Sequence, residues 1–257
     1  MKREEFLKKG FGSLLGAAAL MPIINACKST SVDPTTTTTT TTTTGSTTTT
    51  GSTNGSSSSN CTVTSSETEG PFPTKTPSSL VMTDIRSDRT GVPFKFTITI
   101  KNANASCAVL AGALVDVWHC DKDGYYSEYG GTSMQTKDFT SVHFLRGRQV
   151  TDTNGQVAFQ SIFPGWYQSR ATHIHVHIYN SAGKSLLVTQ IGFPESSDSA
   201  VVQVNASTAN GYTKGMSGYT YNASDNVFAD SQATEIGTIS GSVSAGYALT
   251  HTIVVSA

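Results

Sequence analysis

The stretch at residues 161–178, S-I-F-P-G-W-Y-Q-S-R-A-T-H-I-H-V-H-I, indicates both the fold and the chemistry of this chain. It begins with a Pro-Gly turn and ends in a run in which histidine alternates with isoleucine or valine. Because successive side chains of a β-strand point to opposite faces, the run predicts a strand with His173, His175 and His177 on one face. Unpartnered imidazoles are costly to bury, whereas neutral imidazole is a common metal ligand. The run therefore indicates a metal site, although its spacing does not name the metal.

Residues 1–60 have the composition of an export signal followed by a tether. Residues 1–26 have a basic start and an apolar run too short to span a bilayer comfortably, which predicts a signal peptide. Its end, I-N-A-C, resembles a bacterial lipobox and implies lipid attachment at Cys27; a plain signal peptide with an accidental cysteine is the alternative. Residues 27–60 are almost entirely Thr, Ser and Gly, so we expect a disordered, flexible tether. Together these segments predict a bacterial protein of the cell envelope, exported by the general or the twin-arginine route, with the lipid as its only membrane contact.

Residues 61–257 have the patterning of an all-β domain. Short runs of alternating apolar and polar residues, separated by turn residues, predict a β-sandwich of mostly antiparallel strands with long loops. No stretch of this region shows a sustained helical period. The formal net charge of −1 and the lack of a basic cluster argue against nucleic acid as a partner. The predicted strands cover residues 94–100, 113–119, 156–163, 173–179, 185–191 and 247–255.

The four cysteines allow more than one assignment. With Cys27 lipidated, Cys61, Cys107 and Cys120 remain. Cys107 and Cys120 flank a predicted strand, and an oxidising compartment favours a disulfide between them. A Cys61–Cys107 pair is the alternative.

A second informative stretch, L-V-D-V-W-H-C-D-K-D-G-Y-Y-S-E-Y at residues 114–129, predicts a buried strand, a turn and then two tyrosines. The D-K-D-G segment lacks the later oxygen ligands of a calcium-binding loop, so a plain turn is favoured. These two tyrosines therefore lie in a loop just after a predicted strand. Tyr167 and Arg170 lie in a loop just before the predicted strand of the histidine run.

Three blocks of sequence together resemble the intradiol ring-cleaving dioxygenases, in particular the protocatechuate 3,4-dioxygenase type and its secreted single-domain relatives. They are T-E-G-P-F at residues 68–72, V-D-V-W through D-G-Y-Y-S at 115–127, and F-P-G-W-Y through H-I-H at 163–175. The blocks occur in the family's order, and the resemblance extends over most of the region after residue 60.

The resemblance implies a non-haem Fe(III) centre held by two tyrosinates, two histidines and a solvent hydroxide. The ligands it implies are Tyr126, Tyr167, His173 and His175, with Tyr167 and His175 as the axial pair. Tyr126 is preferred to Tyr125 because the family has a G-x-Y pattern after the turn. His177 has no ligand counterpart, which leaves it as a supporting or merely polar residue.

The resemblance also implies an activity: O2 cleaves a catechol-type ring between the two hydroxyl-bearing carbons to give a cis,cis-muconate-type diacid, without an organic cofactor. Tyr167 would accept a substrate proton, Arg170 would stabilise developing negative charge, and Gln190 would line the oxygen-binding side.

Two other functions are compatible with parts of the sequence. A lipid-anchored β-sandwich binding module without catalysis would use the same fold, but would have no reason to carry all four predicted ligands. A zinc hydrolase built on His173 and His175 lacks an apparent carboxylate base and leaves both tyrosines unexplained.

Overall fold

The structure, a computed structural model, describes residues 61–257. The signal peptide predicted at residues 1–26 and the tether predicted at 27–60 lie outside the described residues. Among the described residues, no helix combines the length and the apolar character needed to cross a membrane.

Two sheets enclose the main hydrophobic core, which confirms the predicted all-β sandwich. Two short helices, α1 (Ala200–Asn205) and α2 (Gln232–Glu235), lie in the long connection that follows the seventh strand. The strands are β1 (Pro93–Asn102), β2 (Ala108–Val109), β3 (Leu114–Trp118), β4 (Arg146–Val150), β5 (Gln156–Ile162), β6 (His173–Tyr179), β7 (Ser185–Gly192), β8 (Thr238–Ser242) and β9 (Gly246–Val255).

The first sheet is organised around β1. This strand pairs in parallel with β9, and on its other edge it pairs antiparallel with β5 and β2, while β8 pairs with β9. Every second residue of β1 is buried, namely Phe94, Phe96, Ile98 and Ile100. The alternation visible in the sequence is therefore the alternation between core and surface.

The second sheet carries the histidine run. Its strands have the order β4-β3-β6-β7 and are all antiparallel. The register places His175 of β6 directly between Trp118 of β3 and Gln190 of β7. Ile174 and Val176 point into the main core, whereas His173 and His175 lie on the opposite face.

That opposite face is also buried, because loops cover it. His173 and His175 are each only 1% exposed. A second apolar cluster of Phe72, Trp118, Cys120 and Tyr126 lies here, with Tyr129 and Tyr167 packed against it. The face of β6 that bears the histidines is thus a closed, largely aromatic environment.

The predicted Cys107–Cys120 disulfide is wrong. Cys107 is bonded to Cys61, with 5.7 Å between their Cα atoms, and Cys120 is a buried free thiol. The reason is topological: Cys107 lies in the connection between β1 and β2 of the first sheet, whereas Cys120 follows β3 of the second sheet and packs in the aromatic cluster.

Candidate metal centre

Three of the four predicted ligands meet in the structure at hydrogen-bonding distance. Tyr126 comes from the loop after β3, and His173 and His175 come from β6. The hydroxyl of Tyr126 lies 3.2 Å from Nε2 of His173, which in turn lies 3.1 Å from Nε2 of His175. All three side chains are buried. One oxygen and two nitrogens therefore converge on one point.

The hydrogen bonds of the two imidazoles leave donor atoms for a metal. Nδ1 of His173 lies 2.6 Å from the carbonyl oxygen of Ala171 and donates to it, so its Nε2 carries the lone pair. Nδ1 of His175 is buried and has no hydrogen-bond partner. Without a metal, this arrangement would leave hydrogen-bonding groups unsatisfied in the interior: the two Nε2 atoms face each other, and Nδ1 of His175 has no partner. The donor set fits a metal ion.

Tyr167, the fourth predicted ligand, lies beside this group. Its ring centroid is 5.8 Å from that of Tyr126 and 5.6 Å from that of His173, with edge-on packing in both cases. Tyr167 is only partly buried, whereas Tyr126 is fully buried. The preceding Gly165 lets this loop approach the loop of Tyr126, because a Cβ there would lie 2.4 Å from the carbonyl oxygen of Asp121.

Burial keeps the four groups neutral as long as no cation is bound. It raises the pKa of Tyr126 well above its ordinary value, and it also raises the pKa of Tyr167. Burial lowers the pKa of His173 and of His175 well below the usual range, with smaller contributions from the charge of Arg170. A bound cation reverses this preference for the phenols, because its charge stabilises phenolate.

The chemistry of the donors narrows the choice of metal. Between residues 61 and 257, no three His, Cys, Asp or Glu side chains come together in a way that could hold a metal ion. The oxygen that lies beside the two imidazoles is the phenol oxygen of Tyr126. Phenolate is a hard anionic donor that suits Fe(III), and the carboxylate of a two-histidine Fe(II) site has no counterpart here.

Arg170 and Gln190 lie next to the donors and are bonded to each other. Nη2 of Arg170 donates to Oε1 of Gln190 at 2.6 Å, and Nε2 of Gln190 donates to the carbonyl oxygen of Thr68 at 2.9 Å. Nε of Arg170 donates to Oδ2 of Asp225 at 2.9 Å. Since Asp225 is fully buried, Arg170 takes part in an internal ion pair rather than a surface one.

His177 is separate from this group, although it shares the strand face. Its Nδ1 lies 2.9 Å from a carboxylate oxygen of Glu69, and its Nε2 lies 2.8 Å from the hydroxyl of Ser185. These partners agree with the interpretation of His177 as a polar or supporting residue.

Three further residues shape the site; Trp118 lies in one of the blocks that carry the family resemblance, whereas Gln135 and Asp225 lie outside all three blocks. The side-chain amide of Gln135 accepts from the backbone N–H of Tyr126 at 2.7 Å and donates to its carbonyl oxygen at 2.8 Å. Trp118 stacks on His175 with ring centroids 4.9 Å apart. Asp225 lies 55 residues beyond Arg170 in the chain, in a segment without periodicity.

Comparison with known proteins gives a family for this arrangement. A family model described as Dioxygenase matches residues 72–214, which include all four candidate ligands, Arg170 and Gln190. The chain is also similar to a chlorocatechol 1,2-dioxygenase from Rhodococcus opacus, with 30% identity over 156 residues. That match covers 51% of this chain and 56% of the relative, so the chain spans about half the length of that protein.

Solved structures show the same fold. An intradiol ring-cleavage dioxygenase from Tetranychus urticae superposes with a TM-score of 0.66 at 27% identity, covering 76% of this chain and 95% of the other. The dioxygenase domain of a carbohydrate-binding fusion protein from Streptomyces sp. SirexAA-E gives a TM-score of 0.54 at 24% identity, covering 76% and 99% of the two chains. The second likeness concerns the fold alone. With the family model, the sandwich and the tyrosine-histidine cluster in agreement, this chain belongs to the intradiol ring-cleaving dioxygenase family.

Proposed function

We propose that this chain is a non-haem Fe(III)-dependent dioxygenase that uses O2 to cleave catechol-type rings between the two hydroxyl-bearing carbons, giving cis,cis-muconate-type diacids. The observation that carries the proposal is the buried meeting of Tyr126, His173 and His175 beside Tyr167, a donor set without a carboxylate. When bound, ferric iron supplies Lewis-acid chemistry and a template that orients the catechol.

The four donors differ in their access to solvent, and we assign their roles accordingly. Tyr126, His173 and His175 are fully enclosed and hold the metal. Tyr167 is the partly exposed donor, so its phenolate oxygen is the one placed to accept a proton from a catechol hydroxyl.

Arg170 is the cation next to the donors, and we assign it the stabilisation of negative charge that develops on the substrate. A fixed, buried guanidinium is effective in this role because water does not screen it and it needs no reorganisation. Both ends of the Gln190 amide are engaged, by Arg170 and by Thr68. Gln190 therefore orients Arg170 from the side on which we expect oxygen to bind.

We also propose that the enzyme acts at the cell envelope of a bacterium, held by a lipid on Cys27. The support is the composition of residues 1–60, with its apolar run, its lipobox-like end and its Thr-, Ser- and Gly-rich continuation. In that position the enzyme would meet aromatic compounds outside the cytoplasm.

The rival functions explain less of the site. A binding module without catalysis has no use for two phenols and two imidazoles gathered in a closed cluster. A zinc hydrolase on His173 and His175 leaves both tyrosines without a role, and the nearby carboxylate of Asp225 is already paired with Arg170.

The test is turnover of catechol by the iron-loaded full chain under 18O2, with the product identified by mass spectrometry. We expect a muconate-type diacid containing two labelled oxygen atoms. Tyr167→Phe should keep the fold but lose most of the turnover, since a base and ligand is removed, and His173→Ala should no longer retain iron.

Tyr221→Phe, at a tyrosine that is 47% exposed, is the matched control and should keep full turnover. Full activity of both Tyr167→Phe and His173→Ala would show that the ligands have been assigned wrongly.

A further inference from the structure

Residues 61–75 form an extended segment, here called the N-terminal strap, that crosses the edges of both sheets before it reaches the metal centre. At its start, Cys61 is bonded to Cys107 in the connection between β1 and β2. The backbone N–H of Thr64 then donates to the carbonyl oxygen of Val254 in β9 at 3.0 Å. Further on, the N–H of Glu67 donates to the carbonyl oxygen of Val188 in β7 at 2.8 Å.

The second half of the strap covers the candidate ligands. The carbonyl oxygen of Thr68 accepts from Gln190, as described above. Gly70 lies against His175, since a Cβ at this glycine would be 3.0 Å from Cε1 of the imidazole. Phe72 stacks on Tyr126 with ring centroids 4.9 Å apart. The strap therefore supplies part of the closed environment around the donors.

Little apolar packing holds the first half of the strap in place. Between residues 61 and 72, only Thr64 and Phe72 are buried, and Phe72 lies at the far end. The remaining attachments near the start are two hydrogen bonds between Thr64 and Val254, since the hydroxyl of Thr64 also accepts from the N–H of Val254 at 3.0 Å, and contacts of Ser65 with the hydroxyl of Thr234 at 3.1 and 3.3 Å. A few hydrogen bonds with little apolar packing open locally at a lower cost than the strands of the core do. The covalent bond at Cys61 is the strongest constraint at that end.

We propose that the Cys61–Cys107 disulfide is a positioning element of the metal centre. It holds the strap along β9 and β7, and thereby keeps Gly70 and Phe72 over His175 and Tyr126. A dithiol reductant that converts the bond to two thiols, and is itself oxidised to a cyclic disulfide, would release the start of the strap and loosen the cover. The expected effect on iron release rests on the proposed function, whereas the expected loosening of the strap does not.

Hydrogen exchange of the metal-free full chain carrying Cys27→Ser tests the proposal, compared with and without dithiothreitol. We expect reduction to lower the protection of the Thr64 and Glu67 amides at least tenfold, while the amides of β1 keep theirs. The double variant Cys61→Ser/Cys107→Ser is the matched control. It should show the lowered protection from the start and no further response to the reductant.

Equal protection of the strap before and after reduction would overturn the proposal, because its own contacts would then suffice. A loss of protection that extends equally to β1 would overturn it as well, because the disulfide would then support the whole fold rather than the strap.

A second readout separates this proposal from the proposed function. In iron-loaded protein without reductant, the Cys61→Ser/Cys107→Ser variant should release iron to a chelator several-fold faster than the chain with the disulfide, and this comparison avoids a dithiol that would itself reduce and bind Fe(III). If the chain binds no iron but the strap still loosens on reduction, the proposed function fails and the positioning role stands. If iron binds and the exchange of the strap is unchanged, the positioning role fails alone.

Discussion

The carboxylate of Asp225 holds several groups around the candidate site. Oδ2 accepts from Nε of Arg170 and from the backbone N–H of Ala171 at 2.7 Å, and Oδ1 accepts from the N–H of Val227 at 2.8 Å. A buried charge with this many partners is costly to leave incomplete. Asp225 thus fixes both the guanidinium of Arg170 and the backbone that leads into β6.

Asp225→Asn should lower the free energy of unfolding by about 3 kcal/mol, because it leaves Arg170 as an unpaired buried charge. Urea denaturation of the metal-free protein measures this. Asp84→Asn is the matched control: Asp84 pairs with Arg86 at 2.6 Å, but both side chains are nearly half exposed. Exposed pairs of this kind contribute about 0 to 1 kcal/mol. An equal loss of unfolding free energy in the two variants would contradict the role given to Asp225.

At the scale of residues, the histidine run and the family resemblance predicted the donors better than the residues that surround them. Tyr126, Tyr167, His173 and His175 lie in motifs of fixed local spacing, and the structure gathers them. Asp225 could not be predicted, because its partner is distant in the chain and no local pattern marks it. The choice between Cys107–Cys120 and Cys61–Cys107 depended on which sheet each cysteine joins, which local patterns do not specify.

Among the structural elements, the loop that carries Tyr126 and the loop that carries Tyr167 approach each other closely. Gly124, in the turn before Tyr126, has φ of +87°, and a Cβ there would lie 2.5 Å from the carbonyl oxygen of Trp166. Trp166 directly precedes Tyr167. Any side chain at position 124 therefore pushes the two tyrosines apart.

Gly124→Ala should cost about 2 to 5 kcal/mol of stability, from left-handed strain and from the clash with Trp166 together. It should also weaken iron binding. Gly183→Ala is the control, because Gly183 has φ of +81° but no atom within 4 Å of the position of its Cβ. That variant should lose about 1 to 2 kcal/mol and bind iron normally. Thermal denaturation and iron titration measure both effects, and similar behaviour of the two variants would argue against the loop contact.

The strands that were predicted and those that were missed differ in their patterning. Strands β1 and β6 alternate apolar and polar residues, and their positions agree with the prediction. Strand β8, with the sequence T-I-S-G-S, has a single large apolar residue and is mostly exposed. It is a strand because it pairs with β9, so tertiary pairing rather than its own sequence determines it.

For the molecule as a whole, the sandwich places the candidate metal centre on the outer face of one sheet. The inner face of β6 is filled by Ile174, Val176 and Ile178, so the histidines must face outward. Loops and the N-terminal strap then close over them, which makes a buried polar site outside the main core. Alternating patterns predicted the two faces of the strand, but the covering segments are irregular and had no such pattern.

We propose that Tyr126, Tyr167, His173 and His175 hold ferric iron, a claim that metal analysis and a visible spectrum of the full chain can decide. After iron loading we expect about one iron per chain and a broad tyrosinate-to-Fe(III) absorption that shifts when catechol is added. A colourless protein that stays free of metal after iron loading would contradict the claim and favour a β-sandwich that binds without catalysis.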